Sequence, residues 1–535
     1  MGSASSRAKK YIIRRQTRRL THVKESGELS VFNARQKDLL RLKEKVEESI
    51  AVLQQPVLFC DGKEIGLLKD FNFRLECADH FLVLGLRLES KSVRRRVLEV
   101  KLTSEVKVTL ATHHLGKAQS FEIIPASGLS LLEHFKQSRR EFQKYIERLI
   151  LRNFPKAKIL HSVIYSDLEH SLSGKYVRLI FRSGQSHWNA IAVSPWEDQS
   201  AVDGILSAGL IWVDILKTRS ISHAWKLLLI APIDRLMVLK SRLSWIRNAG
   251  KQIQLLGLNP DNDKLAFIDI ADSGNLDTSL TQVHTYSPGE NGAGSERFKR
   301  LTSLAPGEIE AIQRTGSNWI SFRIRGLEFA QLHQGKQEKL MFGIEKMHPV
   351  RSPADWNLLE ACISKILQER SALASGHHNP VYSLQSERWL ESLVLKNIRL
   401  IDADLDPRFV YPQVPAFLGG DRGMIDVLSV TREGRLAILE LKVSEDIELP
   451  MQGLDYWLRV RWHHLRQEFQ FKGYFPGLTL NSACPVLYFV CPQFRYHSSF
   501  PVIASHIHSG VPLVQVGINE NWRSGIQVVQ KRRLN

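Results

Sequence analysis

Cysteine is scarce here: five in 535 residues, at Cys60, Cys77, Cys362, Cys484 and Cys491, with no pair in CxxC spacing. That spread excludes a disulfide framework and a cysteine-rich zinc site, and it fits a reducing cytoplasm. Long apolar runs are missing as well. None approaches the roughly 18 residues that a membrane-spanning helix needs, and the N-terminus lacks the apolar centre of a signal peptide. The expectation is a cytoplasmic protein with no membrane partner. Acids are in deficit, with 55 Asp and Glu against 73 Lys and Arg, a formal charge of +18. An excess of that size favours polyanionic partners, with nucleic acid first among them.

What is present reads as a chain of several modules. Residues 1–30 begin as a basic arm, holding Arg7, Lys9, Lys10, Arg14, Arg15, Arg18 and Arg19 with no acid in the first twenty positions. An amphipathic helix is expected over 31–56, with Asn33 as its cap and Leu39, Leu42, Val46, Ile50 and Leu53 as its apolar stripe. Short β-like runs over 57–130 suggest a β-rich module, and mixed strands and helices fill 131–285. The Gly, Pro and Ser content of "YSPGENGAGSE" marks 286–300 as a linker. A second β-rich module with a connecting helix is expected over 301–385, and an α/β module over 386–535.

Four segments recur in the same order in both halves of the chain. "FRLE" at Phe73 is echoed by "FRIR" at Phe322, and "YIERLILRN" at Tyr145 by "WLESLVLKN" at Trp389. "NAIAVSPW" at Asn189 lies opposite "LAILELKV" at Leu436, and "LLLIAPIDR" at Leu227 opposite "LYFVCPQFR" at Leu487. The pattern points to a tandem duplication in an α/β (α+β) chain, each copy a small β-rich module followed by a larger α/β module with a mixed central sheet flanked by helices.

The chemistry concentrates in the second copy. Ser386 is positioned to cap a helix carrying Glu391. The turn "LGGDRG" leads into the strand "MIDVLSV" with Asp426, and "TREGR" turns it back into "LAILELKV". Alternation puts Glu440 and Lys442 on one face of that strand. Pro450 suits the first turn of the following helix, where Gln452, Tyr456 and Arg459 form a row. Hydrolysing a phosphodiester requires a divalent ion, an activated water and cationic help in the transition state. Asp426 and Glu440 are oxygen ligands of the kind a hard cation takes. Lys442 would orient the water, or deprotonate it provided its pKa falls beside the metal.

The layout Glu391 … Asp426 … Glu440-Leu441-Lys442 … Gln452-xxx-Tyr456 resembles the PD-(D/E)xK nuclease superfamily. Within it, 386–520 looks most like the RecB-like group that includes the NucS/EndoMS-type endonucleases. The resemblance implies a restriction-endonuclease-like fold and Mg²⁺- or Mn²⁺-dependent hydrolysis of DNA. It implies Asp426, Glu440 and the main-chain carbonyl of Leu441 as metal ligands, with Lys442 acting on the water. Glu391 would be an accessory acid, and Gln452, Tyr456 and Arg459 would contact substrate. One departure is Ile425, where the family motif has proline.

The first copy serves as an internal control. Aligned by eye, it has Val193 and Pro195 where the second has Glu440 and Lys442, and no acid in "YVRLIF" where Asp426 falls. The expectation is therefore an inactive nuclease-like copy ahead of an active one, paired as an intramolecular pseudo-dimer or joined in a homodimer. The alternatives are a non-catalytic nucleic-acid-binding scaffold and an RNA-directed nuclease. The paired histidines His113-His114, His377-His378 and His463-His464 read as solvated or core residues, since neighbours on a strand or helix point apart.

Overall fold

The computed structural model describes residues 9–12, 36–51, 53, 56–61, 63–68, 73–78, 81–87, 92–103, 107–114, 117–125, 129–167, 169–219, 226–259, 264–271, 276, 278–283, 286–288, 295–314, 317–335, 337–344, 346–371, 380–418 and 421–534. The chain is of the α+β class and divides into two bodies, 1–137 with 378–384, and 138–377 with 385–535. Asn33, the GlyGly of the "LGGDRG" turn and the pair His377-His378 fall outside the described residues.

In the first body an antiparallel sheet runs in the order Lys63–Leu67, Pro56–Cys60, Lys117–Pro125, Lys107–His114, Ser92–Thr103, Phe81–Arg87, Arg74–Ala78. The helix Gln36–Ala51 buries Leu39, Leu42 and Val46 in the same core as Leu84, Val100 and Phe121. The expected stripe is thus the face that packs. Part of the expected basic arm is strand: Lys9–Ile12 pairs with Glu99–Leu102.

The second body begins its first α/β half with helix α1 (Leu129–Asn153, of which residues from 138 belong here) and strands β1 (Ala157–Val163), β2 (Tyr176–Ser183) and β3 (Ser186–Val193). Helix α2 (Ile205–Thr218) crosses to β4 (Leu227–Pro232), and α3 (Met237–Leu243) to β5 (Ile253–Asn259) before β6 (Lys264–Ile268). After a second β-rich module come α4 (Ser386–Lys396), β7 (Leu405–Leu418), β8 (Asp421–Thr431) and β9 (Leu436–Leu441). Helix α5 (Leu449–Leu465) leads to β10 (Val486–Pro492), and α6 (Phe500–His506) to β11 (Leu513–Ile518) and β12 (Val528–Arg533). Both sheets run in sequence order, β1 to β6 and β7 to β12. In each, the first three strands are antiparallel, the next two joints are parallel and the last is antiparallel.

The β-rich module between them is an antiparallel meander from Tyr286–Pro288 to His348–Pro349, followed by the helix Pro353–Glu369 with a Ser352/Asp355 capping box. Tyr286–Pro288 pairs with Ile312–Arg314 and Glu296–Ser303 is helical, so these parts of the expected linker belong to the module, while 289–294 lie outside the described residues. Gly and Pro content signalled a break in regularity there, but backbone pairing overrides composition. The two β-rich modules differ in strand order; only the first closes Pro56–Cys60 onto Lys117–Pro125.

Equivalent elements of the two α/β halves meet by exchange: α2 packs on α6, and α3 on α5. At the centre Arg247 N donates to His506 O (2.7 Å) and His508 N to Trp245 O (2.8 Å), around an antiparallel Ile246–Ile507 bridge. Reciprocal contacts of this kind define an isologous pairing. One continuous core joins Ile191, Leu210 and Leu229 of the first half to Ile438, Leu454 and Leu487 of the second. Buried within the joint, Arg242 grips Asp455 through two hydrogen bonds of 3.0 and 2.8 Å and donates to Asp203 O at 2.5 Å.

Glycines let the first crossover helix of each half approach its sheet. A Cβ on Gly453 would fall 2.5 Å from Phe489 Cε1 and 3.1 Å from Leu487 Cδ2, and both side chains are fully buried. Gly453→Ala is therefore expected to destabilise the second body by about 1–3 kcal/mol through overpacking. A chemical denaturation curve with an unchanged midpoint would contradict this packing. No helix among the described residues is long and apolar enough to cross a membrane.

Candidate active site

Three elements bring the sequence-identified residues together. Helix α4 supplies Glu387, Arg388 and Glu391; β8 supplies Asp426; β9 and the turn after it supply Glu440, Lys442 and Asp446. Ser386 is the first residue of α4 instead of its cap: Gln385, in the left-handed region, precedes it, and Ser386 Oγ accepts from Arg523 Nη2.

Strands β8 and β9 pair from Val430–Leu436 to Val427–Leu439. Beyond that point Leu441 N donates to Asp426 Oδ2 at 2.8 Å, a side chain taking over where the ladder ends. Glu440, at the mouth of this opening, is 1% exposed, and its Oε2 has no hydrogen-bond partner among the described residues. An orphaned buried carboxylate oxygen is costly to leave unmade. Burial, and then the Asp426 charge, push the Glu440 carboxyl well above the usual carboxylate range. Burial likewise lifts Asp426 to about 7, with the Leu441 N–H opposing and Glu391 adding to the rise. Glu391, also buried, is raised in spite of Arg388 Nη1 at 3.0 Å.

Lys442 Nζ stands 3.5 Å from Asp446, 3.8 Å from Glu440 and 4.0 Å from Glu387. Burial lowers its pKa, but the surrounding carboxylates, led by Glu387, raise it further. Among these carboxylates Lys442 is held as an ammonium. On α5, Gln452 Nε2 donates to Tyr456 Oη at 3.1 Å. Tyr456 is buried, and its hydroxyl is raised by burial and by the Glu440 charge, which places the ring on the carboxylate side of the helix. Arg459 is also buried, its guanidinium 5.7 Å from the Tyr456 ring centre, so it packs within the row and presents no surface charge. His463 is a core residue bound to Glu468 and Thr278.

The sequence reading missed Gln413. It sits on β7 between the pairs Pro412–Val427 and Val414–Ile425, directly across from Asp426, with φ of 51°. A left-handed residue inside a strand is strained, and such strain gathers at functional sites. Its amide donates to Glu391 Oε2 at 2.5 Å and reaches Asp426 Oδ1 at 3.4 Å, linking two like-charged groups. The sequence carries no signal for it, because Gln does not advertise positive φ as Gly or Asn does.

The second half can be overlaid on the first strand by strand. Pro232 and Pro492 each end the fourth strand before a 3₁₀ turn. A Cβ on Gly257 would meet Ile233, as one on Gly517 would meet Gln493. From this anchor the pair Leu441–Val490 matches Ala192–Ile230. Glu440 and Lys442 then fall on Ile191 and Val193, two residues away from the Val193 and Pro195 that alignment by eye selected. A shift of two keeps every side chain on its own face, so alternation alone does not detect it. The pair Val427–Leu439 matches Leu179–Ala190, which puts Arg178 in the place of Asp426. A Cβ on Gly209 would touch Leu227 and Leu229, the positions that Gly453 faces as Leu487 and Phe489. Gln452 and Tyr456 thus correspond to Ala208 and Trp212. Of the candidate set only Glu391 keeps its type, as Glu147, which accepts from Gln143 Nε2 at 3.2 Å.

Among the described residues, the group of three metal-ligating side chains whose ligand atoms all lie within 4.8 Å is Asp167, Glu169 and His170, in the first half. Asp167 and His170 are half-buried and Glu169 is exposed, with His170 Nδ1 3.0 Å from Asp167 Oδ2. Glu391, Asp426 and Glu440 are more widely spread. No family model matches the chain, and no curated protein matches it.

Proposed function

We propose that this chain is a Mg²⁺- or Mn²⁺-dependent deoxyribonuclease whose second α/β half hydrolyses DNA phosphodiester bonds. Its first half is a duplicated copy that has lost the reaction and serves as the pairing partner. The observation that carries the reading is Glu440: a buried carboxylate with an unpartnered oxygen, crowded by Asp426 and flanked by Lys442. Such crowding of like charge is unfavourable in the bare protein and is relieved by a cation. Oxygen donors suit a hard divalent ion, and Asp426, Glu440 and the Leu441 carbonyl would hold it. Bound there, the ion supplies an activated water and neutralises phosphate charge.

The remaining work falls to the chain's own side chains. Lys442, kept protonated among its carboxylates, positions the attacking water and balances charge on the phosphate. Gln413 and the Leu441 N–H hold the Asp426 carboxylate in one orientation. The Gln452–Tyr456 pair borders the site from α5. A charge of +18 supports a polyanionic substrate, and the reading belongs with a cytoplasmic setting. The test is cleavage of labelled double-stranded DNA, single-stranded DNA and RNA with Mg²⁺ or Mn²⁺. DNA is expected to be cut, EDTA to stop it, and Asp426→Asn to lose it. Cleavage of RNA alone, or equal cleavage by wild type and Asp426→Asn, would refute the proposal.

A further inference from the structure

We infer that the enzyme is a nickase: it breaks one strand of a DNA duplex per binding event. The inference rests on the function proposed above and adds the product to it.

Two observations combine. First, the face through which two nuclease-like halves pair is already occupied within one chain. The contacts α2 on α6 and α3 on α5, the Ile246–Ile507 bridge and the continuous core use the equivalent surfaces of both halves. A second copy of the chain finds no free isologous face there. Second, the carboxylate pair and the ammonium beside it are present in only one of the paired centres. In the first half, the ligand positions carry Arg178 and Ile191, the ammonium position carries Val193, and the helix positions carry Ala208 and Trp212. Arg178 is 3% exposed, and its guanidinium donates to Tyr165 O, so a fixed positive charge stands where a metal-binding carboxylate is needed. The turn that follows β3 is tied down as well: Arg235 donates to Glu197 O and Pro195 O at 2.8 and 2.7 Å, and Arg139 pairs with Glu197 at 2.9 Å.

Symmetric nucleases cut both strands because two-fold related centres meet the two antiparallel backbones. With one centre erased, the paired body meets one backbone with chemistry and the other without it. One water oxygen bonds to one phosphorus, one bridging P–O bond breaks, and the leaving alkoxide takes a proton. The opposite strand stays intact.

The test is a time course on negatively supercoiled plasmid, in excess over the 535-residue chain, with Mg²⁺ or Mn²⁺. Open circle is expected to accumulate from the first time point, with the initial rate proportional to protein concentration. Linear product is expected only after a lag, as independent nicks come into register. Linear product rising from the start, or a rate growing as the square of protein concentration, would overturn the inference while leaving the proposed hydrolysis intact. No conversion of supercoiled plasmid at all would overturn the hydrolysis and the nicking together.

Discussion

Glu440→Gln is expected to abolish cleavage, by about 10²–10³-fold or more, while the protein folds and still binds DNA. The substitution keeps the size and shape of the side chain and removes only its charge. In the bare protein that charge is unfavourable: burial and the neighbouring Asp426 already push the carboxyl well above its usual range. The variant should therefore unfold at the same temperature as wild type or a higher one, as expected where a site gives up stability for function. Loss of activity with stability preserved separates a chemical role from a structural one. Wild-type cleavage by Glu440→Gln would remove Glu440 from the mechanism.

Arg242→Ala is expected to have the largest effect on stability, about 3–5 kcal/mol, the usual result of removing one partner of a buried charge pair. Arg242 is 5% exposed, and it holds Asp455 by two hydrogen bonds as well as Asp203 O. Truncation leaves Asp455 facing the joint without its partner, at the place where the halves exchange helices. Replacing both, as Arg242→Met with Asp455→Leu, is expected to recover most of the loss, since a packed apolar pair avoids stranding a charge. Chemical denaturation followed by tryptophan fluorescence reads the difference, because Trp245 and Trp457 meet at 4.7 Å in the same joint. A single variant as stable as wild type would show that the ion pair does not hold the halves together.

Much of the site is legible in sequence because it lies on regular elements. Alternation alone places Glu440 and Lys442 on one strand face, and Pro450 correctly marks the first turn of α5. What escapes is set by three-dimensional register. Arg178, Ile191 and Trp212 become counterparts of Asp426, Glu440 and Tyr456 only once bridge pairs and glycine contacts anchor the overlay. Gln413 depends on a backbone angle that its side chain does not announce. Arg242 and Asp455 lie 213 residues apart and pair only because the halves pack by exchange. Residues 286–288 look like linker by composition, yet they complete a sheet edge.

The central claim is that one half holds a catalytic cation and its twin does not. The direct measurement is anomalous diffraction from crystals soaked in Mn²⁺. The account predicts a manganese peak bounded by Asp426 and Glu440, and none beside Arg178 and Ile191. A peak in the first half's centre, or none between Asp426 and Glu440 in crystals that bind manganese elsewhere, would contradict it.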